Sequence, residues 1–398
     1  MAAASDPGTR PSFPIHLRRT DENTREIDAL AERLGGAAGL EGVLDNLKYQ
    51  ARRAWVPKVL GRAVVRGIRF DRYDQKDERW WPQGISTSAD ASDDEVVCGG
   101  RRVIVTTWYA KPVDGVEQGS RLTFLDLKTL KYRHVLLVEP RLDRDGNLSL
   151  EPVRIHAGGI VWFGPWLHIA ATAKGFVTCR VDDIMRVDGD DRLPERFGVL
   201  DDGSIASFGH HFVLPVRFRY RAYADNPKRR LRYSFLSLDR SQHPPELLAG
   251  EYGRRGQSTR IARYPLDPET RLLATDEDGR SQPAVLEKGV GQMQGVVQVH
   301  GTYYASVSQG AWMSGAMYVG RSGDLQPHSF ALPFGPEDLS WWPSTDTLWS
   351  VTEHPRRRWI VAMPRRWFGR HKPTPWVPRR VPRRLRPLLE RFARPGKE

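Results

Sequence analysis

Residues 336–354 read PEDLSWWPSTDTLWSVTEH, and this stretch decides the fold. Two short runs rich in Trp, Leu, Val and Thr flank a Pro-Ser-Thr-Asp turn, which is typical of an antiparallel strand pair. The same order of small or polar residue, apolar pair, turn and aromatic-aliphatic strand recurs as HAGGIVWFGPWLHIAAT from residue 156 and MQGVVQVHGTYYASVSQG from residue 293. Recurrence at long intervals predicts a repeat architecture, and each copy suits the first two strands of a β-propeller blade.

Two weaker copies complete the set. One runs from Gln83 as QGISTSAD followed by CGGRRVIVTTWYA, and the other starts at Ser207 as SFGHHFVLPVRFRY. Five copies predict an all-β, five-bladed propeller, with six blades as the alternative if residues 240–290 hide another one. The last copy lacks a fourth strand, so we expect AVVRGIRFDRY at residues 63–73 to pair onto it and close the ring.

The regions on either side of the repeats have other patterns. Between residues 24 and 60, Ile27, Leu30, Leu34 and later Leu residues recur at helical spacing, broken at Gly35-Gly36 and closed by Pro57. We therefore expect an N-terminal arm and helical cap over residues 1–61, the propeller over 62–363 and a basic Arg/Pro-rich arm over 364–398.

The net charge of the chain lies in its last 44 residues, most of it in that C-terminal arm. The formal charge is +13, and residues 355–398 alone carry 15 of the 61 basic residues and two of the 48 acidic ones. Residues 1–354 are therefore neutral, which excludes a uniformly basic, nucleic-acid-coating protein and makes nucleic acid an unexpected partner. Apolar residues recur at helical steps among the arginines of residues 375–398, a pattern that suits an anionic membrane or an acidic partner. A solvated arm folded back on the body is the alternative.

The sequence lacks the motifs and segments that mark several classes of protein. The chain has no apolar stretch of spanning length and no signal-peptide pattern, so we expect a cytoplasmic protein, with peripheral membrane association through the arm as an option. Cys98 and Cys179 lack ligand-spaced partners and are expected to be buried free thiols. Phosphate-binding, nucleophile-elbow and zinc-protease motifs are absent. We expect no cofactor and no metal site.

Two stretches resemble known propeller families. PEDLSWWPSTDTLWSVTEH is similar to the blade openings of gluconolactonase and NHL-type propellers, and MQGVVQVHGTYYASVSQGAWMSGAMYVG resembles the opening of plant-type glutaminyl cyclotransferases, which are five-bladed. Each resemblance covers fewer than about 30 residues. Asp338 replaces a Gly of the first pattern, and Ala305 replaces a Glu of the second. The resemblance therefore implies architecture alone.

The fold places a set of polar residues at one end of the predicted channel. The loops that enter the innermost strands gather at one mouth, where propellers bind ligands. Hydrogen-bonding residues at these positions are Gln83, His156, His210, His211, Gln294, Glu337 and Asp338. We expect His156 to act as a general base, with Glu337 or Asp338 orienting it or acting as the acid. In the alternative interpretation these side chains only satisfy backbone groups in the channel.

These observations favour a protein that binds a polar small molecule or sugar at the channel mouth, with conversion of that ligand as a further option. Trp81 and Trp341 belong to Trp-Trp pairs that can form stacking platforms for such a ligand. If the protein is an enzyme, acid–base chemistry of the lyase, cyclase or hydrolase type is expected. The alternative is a non-enzymatic scaffold that uses a Trp-rich rim and the cationic arm. Glu353-His354 is a weaker candidate pair, expected at the far side of its blade.

Overall fold

The computed structural model describes residues 13–188, 195–254 and 256–374. Strands dominate it, and its five short helices are α1 (Thr24–Leu34), α2 (Gly39–Asp45), α3 (Arg72–Lys76), α4 (Ser88–Ala91) and α5 (Arg365–Arg370). Within the described part of the chain, no helix is long and apolar enough to cross a membrane.

The strands follow in chain order. The first ten are β1 (Ile15–Arg19), β2 (Tyr49–Gln50), β3 (Arg52–Ala54), β4 (Arg66–Arg69), β5 (Trp80–Thr87), β6 (Val103–Ala110), β7 (Ser120–Asp126), β8 (Lys131–Leu142), β9 (Leu148–Pro152) and β10 (Ile160–Phe163). The next ten are β11 (Trp166–Ala170), β12 (Gly175–Arg180), β13 (Met185–Arg186), β14 (Phe197–Val199), β15 (Ile205–Ser207), β16 (Phe212–Pro215), β17 (Phe218–Ala224), β18 (Phe235–Asp239), β19 (Glu246–Gly250) and β20 (Arg260–Pro265). The last nine are β21 (Arg280–Ser281), β22 (Val285–Lys288), β23 (Met293–Val299), β24 (Thr302–Val307), β25 (Ser314–Arg321), β26 (Asp324–Phe334), β27 (Pro336–Trp342), β28 (Thr347–Thr352) and β29 (Trp359–Pro364).

These strands form an all-β propeller, which confirms the predicted fold class. Among the described residues, five sheets have four or more strands, and their innermost strands are β5, β10, β18, β23 and β27. Each innermost strand packs against the next in that order, and β27 packs back against β5. Apolar side chains fill the spaces between neighbouring sheets, as Phe124 and Trp162 do between the first and second.

Glycines explain how the innermost strands come so close. A Cβ atom on Gly159 would lie 2.2 Å from the backbone nitrogen of Leu236, and one on Gly295 would lie 2.5 Å from the Cα of Asp338. A Cβ atom on Gly84 would lie 2.8 Å from the carbonyl carbon of Gly159. In the motifs at Gln83, His156 and Met293, a glycine is therefore required by backbone-to-backbone contact between neighbouring sheets.

The ring closes as the sequence predicts. In the last sheet, β29 pairs with β4, and Ile360 lies opposite Ile68. β4 falls within the predicted closing segment 63–73. A further strand, β3, covers the outer edge of β4, so that no long edge strand is left open there.

The predicted blade at Ser207 is wrong. β15 pairs only with β14 in a separate hairpin, and β16 runs parallel to β8 at the outside of the first sheet. The third sheet instead starts at Phe235, in a run that the sequence pattern assigned to outer strands. β16 has the apolar, buried character of an inner strand because both of its faces are covered, and periodicity cannot distinguish the two cases.

The N-terminal region is part of the sheets. The helices end at Asp45 and not at Pro57, and they pack on outer strands of the first sheet. β1 pairs with β17 in the second sheet, while β2 and β3 pair with β8 and β4. Propeller strands therefore lie on both sides of the predicted boundary at residue 62. The basic segment 375–398 lies outside the described residues.

Replacing Gly159 by Ala tests the close contact of the innermost strands. The new methyl group overlaps the backbone at Phe235 and Leu236, so we expect the free energy of unfolding to fall by about 2–3 kcal/mol in urea titrations. Gly369→Ala is the matched control, because a Cβ atom there meets nothing within 4 Å. Equal stability of the two variants would contradict this account of the motif.

Candidate functional site

A carboxyl group ties three innermost strands together below the mouth. Asp338 is fully buried on β27, and its Oδ2 accepts hydrogen bonds from the backbone N–H groups of Ile85 (3.3 Å) and Ile160 (3.2 Å). Burial raises the pKa of Asp338 well above its usual range. Asp338 is absent from the lining of the mouth cavity, and its carboxyl group contacts the backbone of the neighbouring innermost strands. Its predicted role beside His156 stays a prediction.

A second buried carboxyl group lies deeper in the channel. Oδ2 of Asp90 accepts hydrogen bonds from the hydroxyl groups of Ser86 (2.6 Å) and Ser340 (2.8 Å). Burial raises the pKa of Asp90, against the effect of these hydrogen bonds. Asp90 and Asp338 therefore fill the centre of the ring with hydrogen-bonded polar groups.

Above this filling, a cavity of about 470 Å³ opens at the end of the propeller where the innermost strands begin, which we call the mouth. It brings together four of the predicted residues, Gln83, His156, Gln294 and Glu337. Its other lining residues come mainly from the loops around the third sheet: Thr172, Lys228, Arg230, Arg232, Ser234, Glu251, Tyr252, Gly253, Gln257, Ser258 and Arg260.

Two amide–carboxyl pairs stand at the base of this cavity. Nε2 of Gln294 donates to Oε1 of Glu337 at 3.0 Å, and Nε2 of Gln83 donates to Oε2 of Glu353 at 3.2 Å. Burial, Glu353 and Asp338 raise the pKa of Glu337 well above its ordinary value. Burial also raises the pKa of Glu353, opposed by the Gln83 hydrogen bond and the charges of Lys111 and Arg358. Glu337 is thus favoured as a protonated acid.

His156 faces the cavity from the loop before β10. Its side chain is exposed there, and its ring packs against Tyr109 with 4.6 Å between centroids. Desolvation by the surrounding walls and the charge of Lys111 lower the pKa of His156. A histidine with a lowered pKa and a carboxyl group with a raised pKa therefore line the same cavity.

Trp81 lies at the mouth end but is covered by charged side chains. Nζ of Lys111 is 3.2 Å from the centre of one of its rings, and the His354 ring packs edge-on at 5.8 Å. Burial and the nearby cations Arg357, Lys111 and Arg358 lower the pKa of His354 to about 4. Trp81 does not line the mouth cavity and packs against Lys111 and His354 instead.

The predicted position of Glu353-His354 at the far side of its blade is wrong. β28 runs antiparallel to β27, and Thr352 lies opposite Pro336. The residues that follow Thr352 therefore return to the mouth, beside Glu337. Hairpin register alone could have revealed this, because the two strands of the motif are joined by a short turn.

His210 and His211 belong to a different cavity. They line a space of about 410 Å³ on the flank of the first sheet, together with Trp80, Arg121 and His134. Burial, with the charges of Arg121 and His134, lowers the pKa of His210 to about 3. Both histidines were predicted at the mouth because a blade was wrongly predicted to start at Ser207.

Trp341 lies at the opposite end of the propeller. Its Nε1 donates to Oδ1 of Asp346 at 3.2 Å, and it lines a small separate cavity with Arg240 and His300. Trp81 and Trp341 are therefore at different ends of the channel, and they do not form one aromatic rim.

Sequence reasoning missed the cationic side of the mouth. Lys228, Arg230 and Arg232 lie on the loop between β17 and β18, and all three are exposed and line the cavity. The loop enters an innermost strand, which is the signal that located the other residues. It was overlooked because the third sheet was assigned to the wrong segment.

Comparison with known proteins adds little to this geometry. No family model and no curated protein matches the chain. Among solved structures, the β-propeller domain of Cps50 (Swd1) from Myceliophteria thermophila is 10% identical, with a TM-score of 0.34 over 71% of this chain and 96% of that one. The GH43_1 enzyme from Xanthomonas citri, complexed with xylotriose, is 12% identical, with a TM-score of 0.33 over 73% and 88%. Hydrazine synthase from Kuenenia stuttgartiensis is 10% identical, with a TM-score of 0.33 over 74% and 80%. At this level of similarity the matches carry no functional information, and the architecture rests on the strand order.

Substitutions of Asp338 test its role in the channel. Asp338→Ala leaves the N–H groups of Ile85 and Ile160 without this acceptor, so we expect a loss of about 2–4 kcal/mol in the free energy of unfolding. Asp338→Asn keeps a carbonyl acceptor and should stay close to wild type at pH 4. The folded protein raises the pKa of Asp338 above its unfolded value of about 4. Protonated Asp338 therefore contributes its full stability below about pH 4, and this contribution is lost as the pH rises through the folded pKa.

The pH dependence of urea unfolding separates this role from simple packing. Wild type should lose stability relative to Asp338→Asn between pH 4 and pH 7. A constant difference between these two proteins over that range, or an Asp338→Ala variant as stable as wild type, would refute the assignment.

Proposed function

We propose that the five sheets are the five blades of a propeller that binds a polar, sugar-sized molecule at the mouth and converts it by acid–base chemistry. One observation carries the proposal: a proton donor with a raised pKa, Glu337, and a proton acceptor with a lowered pKa, His156, line one cavity. Groups whose environments shift their pKa values apart in this way are typical of acid–base catalysis.

The cavity suits a polar ligand in size and chemistry. Its volume of about 470 Å³ falls in the range of roughly 300–1,000 Å³ that is usual for small-molecule sites. Thr172, Ser234 and Ser258 supply hydroxyl groups, and Tyr252 supplies an aromatic face with a polar tip. Sugars and sugar derivatives present hydroxyl groups that pair with such a lining.

Glu337 fits the role of general acid. Gln294 donates to Oε1 and fixes the orientation of the carboxyl group, which leaves Oε2 as the natural position for the acidic proton. Glu337 can hold its proton without a bound ligand, because burial and the nearby acids Glu353 and Asp338 already disfavour its carboxylate form. The group can therefore donate a proton to a leaving oxygen of the ligand.

His156 fits the role of general base. The lowered pKa keeps the imidazole unprotonated, and the Tyr109 ring restricts its orientation. Lys111, which lowers the pKa of His156, is itself held over Trp81. Of the two acids predicted from the sequence, Glu337 or Asp338, this proposal assigns the role of acid to Glu337.

Isosteric variants test the proposed chemistry. We expect Glu337→Gln to fold normally and retain ligand binding, because the amide keeps an oxygen for Gln294, but to lose turnover about 10²–10⁴-fold. His156→Gln should lose turnover to a similar extent. The probes are 4-nitrophenyl glycosides of xylose, glucose and galactose and an aldonolactone, with thermal shift by the free sugars as the binding readout. Glu151→Gln, an exposed acid on β9, is the matched control.

Two results would overturn the proposal. Turnover of any of these probes that survives in both Glu337→Gln and His156→Gln would exclude the acid–base pair. Absence of turnover with every probe, together with absence of a thermal shift with neutral and anionic sugars alike, in the wild-type protein would exclude sugar-type ligands as a class.

A further inference from the structure

We infer that the ligand of the mouth cavity carries an oxyanion group, either a carboxylate or a phosphate, which the loop at residues 225–234 binds. This inference rests on the proposed function, because it names the chemical class of the ligand of the same site. It comes from the balance of charges around the cavity and from the way the loop is held.

Three cations of the loop have no partner of opposite charge within residues 13–188, 195–254 and 256–374. Lys228, Arg230 and Arg232 are exposed, line the cavity and make no ion pair with any described residue. Exposed cations on a convex surface are well solvated, but several cations gathered on one cavity wall focus a positive potential into it. The two guanidinium groups also match the planar, bidentate geometry of carboxylate and phosphate.

The acidic residues of the cavity do not neutralise these cations. Glu251 is already paired with Arg260 through Oε2–Nε (3.0 Å) and Oε1–Nη2 (2.8 Å), and it also accepts a hydrogen bond from Ser258. Burial alone would raise the pKa of Glu251, but these hydrogen bonds outweigh it and lower the value. Glu337 is buried, pairs with Gln294 and has a raised pKa, which disfavours its charged form.

The Glu251–Arg260 pair instead fixes the cationic loop in place. Arg260 donates from Nη1 to the carbonyl oxygen of Arg229 (2.8 Å) and from Nη2 to that of Arg230 (3.1 Å). Glu251 also accepts from the backbone N–H of Arg232 at 3.1 Å. The backbone that carries the three cations is thus positioned before any ligand arrives, which lowers the entropic cost of binding.

Neutral donors on the same wall complete an anion site. Thr172 and Ser234 line the cavity beside the loop, and the hydroxyl group of each can donate to an oxyanion, whereas Ser258 already donates to Glu251. A ligand anchored here by its anionic end places the rest of the molecule in the cavity that Glu337 and His156 line. The geometry therefore points to sugar acids or sugar phosphates over neutral sugars.

Calorimetric titration with three matched probes tests the inference. D-glucuronate, D-glucose 6-phosphate and D-glucose share one ring and differ in the anionic group. We expect at least one anion to bind ten-fold or more tightly than glucose, with an affinity that falls as salt increases. The tighter of the two anions identifies carboxylate or phosphate as the source of the charge.

Substitutions in the loop assign the effect to the proposed wall. Arg230→Gln and Arg232→Gln should each weaken binding of that anion about ten-fold and leave glucose unchanged. Arg229→Gln is the matched control, because it removes the same charge from the same loop at a residue that does not line the cavity. Unchanged circular dichroism verifies that all three variants are folded.

The outcomes separate this inference from the proposed function. If glucose binds as tightly as both anions, or if Arg229→Gln weakens anion binding as much as the other two variants, the anion site is wrong although a sugar site remains. If neither anion binds, the inference is likewise overturned. Loss of turnover in Glu337→Gln depends on none of these results and tests the proposed function alone.

Discussion

The innermost strands of this propeller touch backbone to backbone, and every other feature of the mouth depends on that contact. Gly159 and Gly295 allow it, since a Cβ atom at either position would overlap the neighbouring strand. The strands are then close enough for one side chain, Asp338, to accept hydrogen bonds from two other blades. The centre of the ring is filled by buried polar groups, so the mouth cavity has a closed floor and is not the entrance to an open pore.

A closed floor gives the site its chemistry. Glu337 and Asp338 are neighbours on β27, where its pairing with β28 is irregular. Glu337 lines the cavity, whereas Asp338 accepts hydrogen bonds from the backbone of β5 and β10. Desolvation at this depth raises the pKa of both carboxyl groups, while His156 on the loop above is kept neutral. The outer part of the cavity has the opposite character, because Lys228, Arg230 and Arg232 bring positive charge that no acid there balances. The acid–base pair therefore lines the floor of the cavity, and cationic side chains line its rim.

Much of this arrangement could be predicted from the sequence, for a physical reason. Close strand contact demands a small residue before an apolar pair, and this signal correctly located four innermost strands and the residues Gln83, His156, Gln294 and Glu337. The closing strand was predictable because an unpaired edge is unfavourable. The start of the third sheet could not be predicted, because β16 is as apolar as an inner strand. It pairs in parallel with β8, and local periodicity does not reveal such a long-range contact. That single error moved His210 and His211 to the mouth and hid the cationic loop.

The protonation states of Glu337 and His156 are the most direct test of the account, and they can be measured without knowing the ligand. Nuclear magnetic resonance of the side-chain carboxyl carbon of Glu337 and the ring nitrogens of His156, followed from pH 4 to pH 9, reports both groups in the free protein. The account predicts that Glu337 titrates well above its ordinary value of about 4.3 and that His156 titrates below about 6.5. A Glu337 carboxylate already ionised at pH 5, beside a His156 that is protonated at pH 7, would contradict it.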